Sequence, residues 1–357
     1  MKRLTLTVAT LLGGFHAIAQ SNNSVITQTG DFNKALVTET GTHTSTVLQK
    51  SNAGSAPGEN LATVTQSNIQ LNDVKNSVSK VEQHGNTHTT TVVQQGQNTL
   101  EAYIGSNGSV AAENVNNETY ANQFGNGNIG KQFVQGSSSE GSFLSLRQSG
   151  SDNNSHQVAS SAVDSEGYVI QSGARNDADQ HVEGIGNEAH IEQTQDDNTA
   201  FQQILGAGSE DNYSRILQVG QENVARVVTT GNNNYFDASQ LGDGNKVWGL
   251  TGTPTSYAEQ TGNGNKAQLA QIGDDNEFRI YQNGDGNIIT GATSLGALQF
   301  GNGNSAIYSQ DGTNLKIISD QYGDNNKETV TQVGNGHIST VYQSGASNLA
   351  TVRQADH

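Results

Sequence analysis

Glutamine returns at Gln299, Gln310, Gln321, Gln332, Gln343 and Gln354, a step of eleven residues each time, and this recurrence limits the possible folds more than any other feature of the chain. Within most steps a glycine follows two places later (Gly301, Gly312, Gly323, Gly334, Gly345) and an asparagine five places later (Asn304, Asn326, Asn348). The unit reads Gln-x-Gly-x-x-Asn-x-Ala-x-x-x, and short fixed self-similarity outranks any isolated motif. An eleven-residue period also suits a right-handed coiled coil. A glycine and an asparagine in every unit weaken a helix repeatedly, so helix is rejected.

Alternate residues counted from the asparagine give Asn348, Ala350, Val352, Gln354; Asn326, Glu328, Val330, Gln332; Asn265, Ala267, Leu269, Gln271; and Asn276, Phe278, Ile280, Gln282. A period of two with a small or apolar centre and an amide at each end is one face of a strand. The interleaved residues, such as Leu349, Thr351 and Arg353, are mostly polar or β-branched and form the outward face. Each unit is therefore one short strand followed by a turn of Gly, Asn and Asp, residues that tolerate positive φ. Two units close a flattened coil of about 22 residues, and stacked coils bring like side chains together at ~4.8 Å. Inward amides then bond to their equivalents one rung away. One coil buries too few side chains to offset its ordering entropy, so stability comes from neighbours on both sides.

The expected inward ladder is Gln28 with Asn33, Gln83, Gln123 with Asn128, Gln148 with Asn153, Gln171 with Asn176, Gln193 with Asn198, Gln218 with Asn223, Gln240 with Asn245, Gln260 with Asn265, Gln271 with Asn276 and Gln282 with Asn287, continuing through the six glutamines named first. Turn glycines are expected at Gly30, Gly262, Gly273 and Gly284 and at the five already given. Glu39 stands where a glutamine is due, Gln49, Gln66 and Gln94 open imperfect units, and Val182, Ile204 and Thr229 fill the glutamine slot. Inserts are expected at 252–259, after a unit ending at Thr251, and around 289–298. Both prolines, Pro57 and Pro254, fall in loops off the beat, where they delete no ladder bond. The reading is an all-β solenoid over residues 28–357, about fifteen two-strand coils and on the order of 70 Å tall at ~4.8 Å per rung. With no capping helix expected, its open strand edges are expected to serve as a functional surface.

Residues 1–19 combine Lys2 and Arg3 with a largely apolar run and Ala17-Ile18-Ala19, the pattern of a cleaved secretory signal, leaving 20–27 as a short tail. No later segment is apolar enough to span a bilayer as a helix, so membrane insertion is not expected. With no cysteine, an exported chain relies on no disulfide framework. Hydrophobic residues make up 32%, too lean for two ordinary cores, and the formal charge of −17 argues against a nucleic-acid partner.

The unit Gln260-Thr-Gly262-Asn-Gly-Asn265-Lys-Ala267-Gln-Leu-Ala-Gln271 resembles the curlin repeat of the subunits of bacterial curli fibres, and the likeness runs through most of the chain. The resemblance implies a subunit exported unfolded through an outer-membrane pore, started by a nucleator subunit, and polymerising head to tail into functional amyloid of the biofilm matrix. It departs from the familiar curlins in carrying more repeats and only a short stretch between leader and first unit. A different class of reading is a surface adhesin, with the solenoid as stalk and the insert loops binding a receptor.

Other motifs carry less. Gly125, Gly127 and Gly130 satisfy GxGxxG but lack a following helix, and the repeat generates Gly-Asn-Gly by itself. The acidic turns at Asp274-Asp275 and Asp285 suggest calcium, although calcium-binding β-rolls repeat every nine residues. His84 and His88 have no third ligand nearby, no framed nucleophile is present, and no cofactor is expected. The scattered threonines form no flat rank of the kind that binds ice. Tyr281, Tyr342 and Trp248 are expected to point outward.

Overall fold

The computed structural model describes residues 22–30, 32–51, 60–67, 76–105, 115–136, 139–206, 208–252 and 256–356. The leader at 1–19 and both prolines lie outside the described residues. Every element is a β-strand, and the contacts divide the chain into two units, Met1–Glu166 and Gly167–His357.

In the first unit one column of parallel strands runs Asn23–Thr29, His43–Lys50 and Ser77–His84, then the later parts of Thr89–Gly105 and Glu118–Gln135, then Asn154–Val163. The second column runs Lys34–Thr40, Leu61–Ser67, the earlier parts of the same two long strands, and Phe143–Ser151. The chain alternates between columns, one strand to each, which is a β-solenoid. Asn23–Thr29 begins inside the stretch expected as a tail, so the first rung takes in Asn23 to Thr27.

The second unit follows the same plan. Glu166–Ala174, Glu188–Thr194, Tyr213–Val219, Tyr235–Leu241, Lys266–Ile272, Lys316–Tyr322 and Ile338–Ser344 lie in one column. Asp177–Ile185, Thr199–Leu205, Val224–Thr230, Glu277–Asn283, Ser305–Thr313, Lys327–Asn335 and Leu349–Ala355 lie in the other. One rung in each column is split. Lys246–Trp248 and Ala258–Thr261 both pair with Val224–Thr230 and with Glu277–Asn283, so they are two halves of one rung. Ile288–Thr290 and Ala297–Phe300 likewise share Lys266–Ile272 and Lys316–Tyr322.

The split rungs correct the expected register. Gln260 closes the strand that Asn245 opens, Thr251 ends no unit, and the inserts interrupt strands rather than separate units. Fewer coils result than fifteen, because dividing the length by the period counts insert residues as strand. Among the described residues the first unit holds five and a half coils and the second eight.

Alternation is strict where the pattern is regular. Tyr213–Val219 buries Ser214, Ile216 and Gln218 and half-exposes the residues between them. The core is a narrow seam of Ala, Val, Ile and Leu with single large residues such as Phe236, Phe278 and Tyr308. Turns use two left-handed residues. In the turn after Gln321 these are Gly323, at φ 101°, and Asn325, at φ 58°. A Cβ on Gly323 would stand 2.2 Å from the carbonyl oxygen of Gly345 in the next rung, so glycine is required for space as well as for φ. Gly125 and Gly127 of the GxGxxG stretch have the same roles in the turn within Glu118–Gln135, at φ 102° and 75°. No helix among the described residues is long and apolar enough to cross a membrane.

Candidate functional site: the amide ladders

The inward glutamines form chains of side-chain hydrogen bonds parallel to the strand stack. In the second unit Gln171 Nε2 donates to Gln193 Oε1 at 2.9 Å, and the series continues through Gln218, Gln240, Gln271, Gln299, Gln321 and Gln343 at 2.7 to 3.0 Å. The other column carries Gln260, Gln282, Gln310, Gln332 and Gln354 at 2.7 to 2.9 Å. In the first unit Gln28 donates to Gln49 and Gln49 to Gln83, while Gln66, Gln94, Gln123 and Gln148 form a second series.

Ladder amides such as those of Gln240 and Gln299 use their second hydrogen across the core. Gln240 donates to Val224 O and Gln299 to Glu277 O, the first strand residue of the opposing column. Both donors and the acceptor of these two glutamines are thus used, which is what a fully buried amide requires. Removing one side chain leaves polar atoms on two rungs unpaired, at ~1–3 kcal/mol for each buried group.

The asparagines hold the turns. Asn198 Nδ2 donates to Asn176 Oδ1 at 3.0 Å and to Gly220 O of the following rung at 2.8 Å. Asn223, Asn276, Asn304 and Asn348 repeat the bond to the asparagine before them. Asn128, Asn153, Asn245, Asn265, Asn287 and Asn326 are buried in the same slot. In the first rungs of the first unit Gln28 is exposed and Asn33 half-buried, and in the last rung of the second unit Gln354 is half-buried.

Several ladder members do not follow from the eleven-residue beat. Val182 and Ile204 occupy the glutamine slot in the core, and the amides of those rungs sit two residues earlier, where Gln180 donates to Gln202 at 2.9 Å. Gln132 donates to Gln157 at 3.0 Å in the same way. Alternation marks these positions as inward, but the period places no amide there. Asn60, Asn98, Asn117, Asn187, Asn212 and Asn234 also fill asparagine slots, six residues before the slot in which each strand ends. Thr229 lies beneath Gln260 with its hydroxyl unpartnered, and Gln260 Oε1 is unpartnered as a result.

Histidine replaces asparagine at His43, His88 and His337. His88 Nε2 contacts His84 O at 3.3 Å, the carbonyl four residues back that asparagine otherwise uses. His88 Nδ1 is buried without a partner, and burial pushes its pKa down to about 4.

Glu328 occupies an inward slot where its register neighbours are Ala306 and Ala350. It is 2% exposed, accepts from Ser319 Oγ and the Tyr308 hydroxyl, and has Asp320 nearby. Burial pushes its pKa up to about 7, with Asp320 adding to the rise.

The acidic turns have a structural use. Gln221 N donates to Asp243 Oδ1, Asp243 N to Asp274 Oδ1, Asp274 N to Asn302 Oδ1 and Asn302 N to Asp324 Oδ1, at 2.7 to 3.0 Å. Among the described residues no group of three or more His, Asp or Glu is arranged to hold a metal ion. Tyr342 is exposed and Tyr281 half-buried, whereas Trp248 is nearly buried, its Nε1 donating to Glu277 Oε1 at 2.6 Å. Trp248 points outward as expected, beside the inward Val247 and in register with Arg279, but is covered there, in the rung that the 249–257 insert interrupts.

At the last rungs the ladders run out of partners. Among the described residues no strand pairs with the outer edge of Leu349–Ala355, and Gln343 and Gln354 have no further amide to which they donate. What the arrangement can do chemically is extend: an edge of unpaired backbone groups in the register of every interior rung is a template for another strand.

Two stretches, residues 210–242 and 323–355, match the model of the curlin associated repeat. No curated protein matches the chain.

Proposed function

Because the chain carries the curlin-associated repeat, we propose that it is a secreted structural subunit that assembles end to end into extracellular amyloid fibres of a biofilm matrix, supporting adhesion and aggregation. The observation that carries this reading is the outer edge of Leu349–Ala355, whose backbone and Gln354 amide are set for another rung. The incoming rung belongs to a second copy, so each addition regenerates the same edge. Within this reading residues 1–19 are a cleaved export signal, an outer-membrane pore passes the unfolded chain, and a nucleator subunit starts growth. No cofactor, nucleic acid or membrane insertion is required.

Electron microscopy and thioflavin T fluorescence of the chain from residue 20 test the reading. Unbranched fibres with a cross-β repeat are expected at near-neutral pH. A chain that stays monomeric for days without β-structure overturns it.

A further inference from the structure

We infer that Tyr213 and Tyr235 form an oxidative cross-linking site, at which a one-electron oxidant of the haem-peroxidase class, acting with hydrogen peroxide, joins adjacent coils as dityrosine. The two tyrosines are direct register partners on neighbouring parallel strands, Tyr213–Val219 and Tyr235–Leu241. Their side chains point outward, since Ser214 and Phe236 beside them are buried. The rings stack at 5.1 Å between centroids and 13° between planes. His190 closes the other side of Tyr213, at 5.8 Å, and the Lys266 ammonium covers the far face of Tyr235, at 5.3 Å. Each ring is therefore held against the other and, among the described residues, against no third tyrosine.

A proton acceptor completes the site. The Tyr235 hydroxyl donates to Asp237 Oδ2 at 3.3 Å, and Asp237 is itself steadied by Arg215 Nη1 at 3.3 Å. Burial, with the charge of Asp237, pushes the Tyr235 pKa up to about 12, so the phenol keeps its proton at neutral pH and must lose it together with the electron. Asp237 takes that proton, and the Tyr213 proton passes to solvent. Two phenoxyl radicals result, and a carbon–carbon bond forms between ring carbons ortho to the two oxygens. Hydrogens on those carbons then move to the oxygens, restoring both phenols. In sum, two tyrosines lose two electrons and two protons, and one hydrogen peroxide takes them up to give two waters. The held geometry replaces a bimolecular radical encounter by an intramolecular one.

The molecule carries its own comparison. Tyr322 and Tyr342 lie 5.5 Å apart but are tilted by 43°, and they are diagonal rather than register partners, because Tyr322 pairs with Ser344 and Asp320 with Tyr342. The folded chain is treated with a haem peroxidase and hydrogen peroxide, digested, and its dityrosine-linked peptides are quantified by mass spectrometry. The Tyr213–Tyr235 link is expected to be the most abundant, several-fold above Tyr322–Tyr342, and to lose that lead when the chain is oxidised in concentrated urea. Tyr213→Phe and Tyr235→Phe each remove it, and Asp237→Asn slows its formation several-fold. A folded chain in which another pair leads, or an unfolded chain that gives the same pair in the same proportion, overturns the site. An unchanged rate in Asp237→Asn overturns the part given to Asp237. Oxidation is measured on the folded chain whether or not fibres form, so the result is independent of the assembly reading.

Discussion

A carboxyl at position 328 stands where the neighbouring rungs place alanine, and its surroundings offer two hydroxyls and a second acid rather than a cation. Its pKa is about 7 in the fold against 4.5 ordinarily. Between those values the folded chain holds a proton that the unfolded chain has lost. Stability from this group is therefore fully present below about pH 4.5 and is lost as pH rises through 7, by roughly 3 kcal/mol, since each pH step between the two values is worth ~1.4 kcal/mol. Glu328→Gln keeps the shape without the charge; urea melts at pH 8 are expected to show it more stable than the parent, with the difference vanishing near pH 4. His88 runs the other way. Its folded pKa of about 4 lies below the ordinary 6.5, so the unfolded chain takes up the proton first. Stability from a neutral His88 is complete above pH 6.5 and falls as pH drops toward 4, again by roughly 3 kcal/mol. His88→Asn restores the commoner slot residue and is expected to remove the acid-side loss, read from melts at pH 5 and pH 7.

At the level of strand and turn, the tightest constraint is the first glycine of each turn. Gly323→Ala places a methyl group against the Gly345 carbonyl and adds the cost of a left-handed alanine, ~1–2 kcal/mol before any clash. The neighbouring rung cannot retreat without breaking its own ladder, so a total loss of several kcal/mol is expected in urea melts. These turns were legible in the sequence because their spacing from the glutamine is fixed, and so was the solenoid, because alternation and an eleven-residue beat admit few other folds. The amides Gln132, Gln157, Gln180 and Gln202 were not legible as a ladder. A strand has three or four equivalent inward positions, and alternation does not tell which of them holds the amide. The two split rungs hid for a related reason. Each insert leaves and rejoins the rung so that Gln260 and Gln299 return to their slots, and a count along the chain cannot distinguish that from an extra unit. The histidines at 43, 88 and 337 were missed because the sequence pattern looks for an amide, although an imidazole shares asparagine's bond to the carbonyl near the start of the turn and, at His43, the one accepted from the next rung's backbone.

For the molecule as a whole, fibre growth by the proposed route brings together chains that each carry a formal charge of −19 once Lys2 and Arg3 leave with the leader (15 − 34), so added salt is expected to speed elongation by screening that repulsion. Growth also gives the last turn a double life. Gly345 has φ 103°, like its counterparts, but a Cβ there meets only Asn348 Nδ2, at 3.7 Å, because no further rung lies over it among the described residues. Gly345→Ala therefore costs the single chain the left-handed penalty alone, less than Gly323→Ala by the missing clash. Once a second copy stacks on Leu349–Ala355 in the register of the interior rungs, the methyl group faces a turn carbonyl at the distance that forbids alanine at Gly323. Near-parental melting of the monomer, together with seeded elongation slowed at least tenfold, is the expected pair of results. If Gly345→Ala elongates at the parental rate, the incoming copy does not add at this edge in this register. Slowing of Gly345→Ala fibres to the same extent as an equally destabilising change deep in the stack would instead trace the effect to folding.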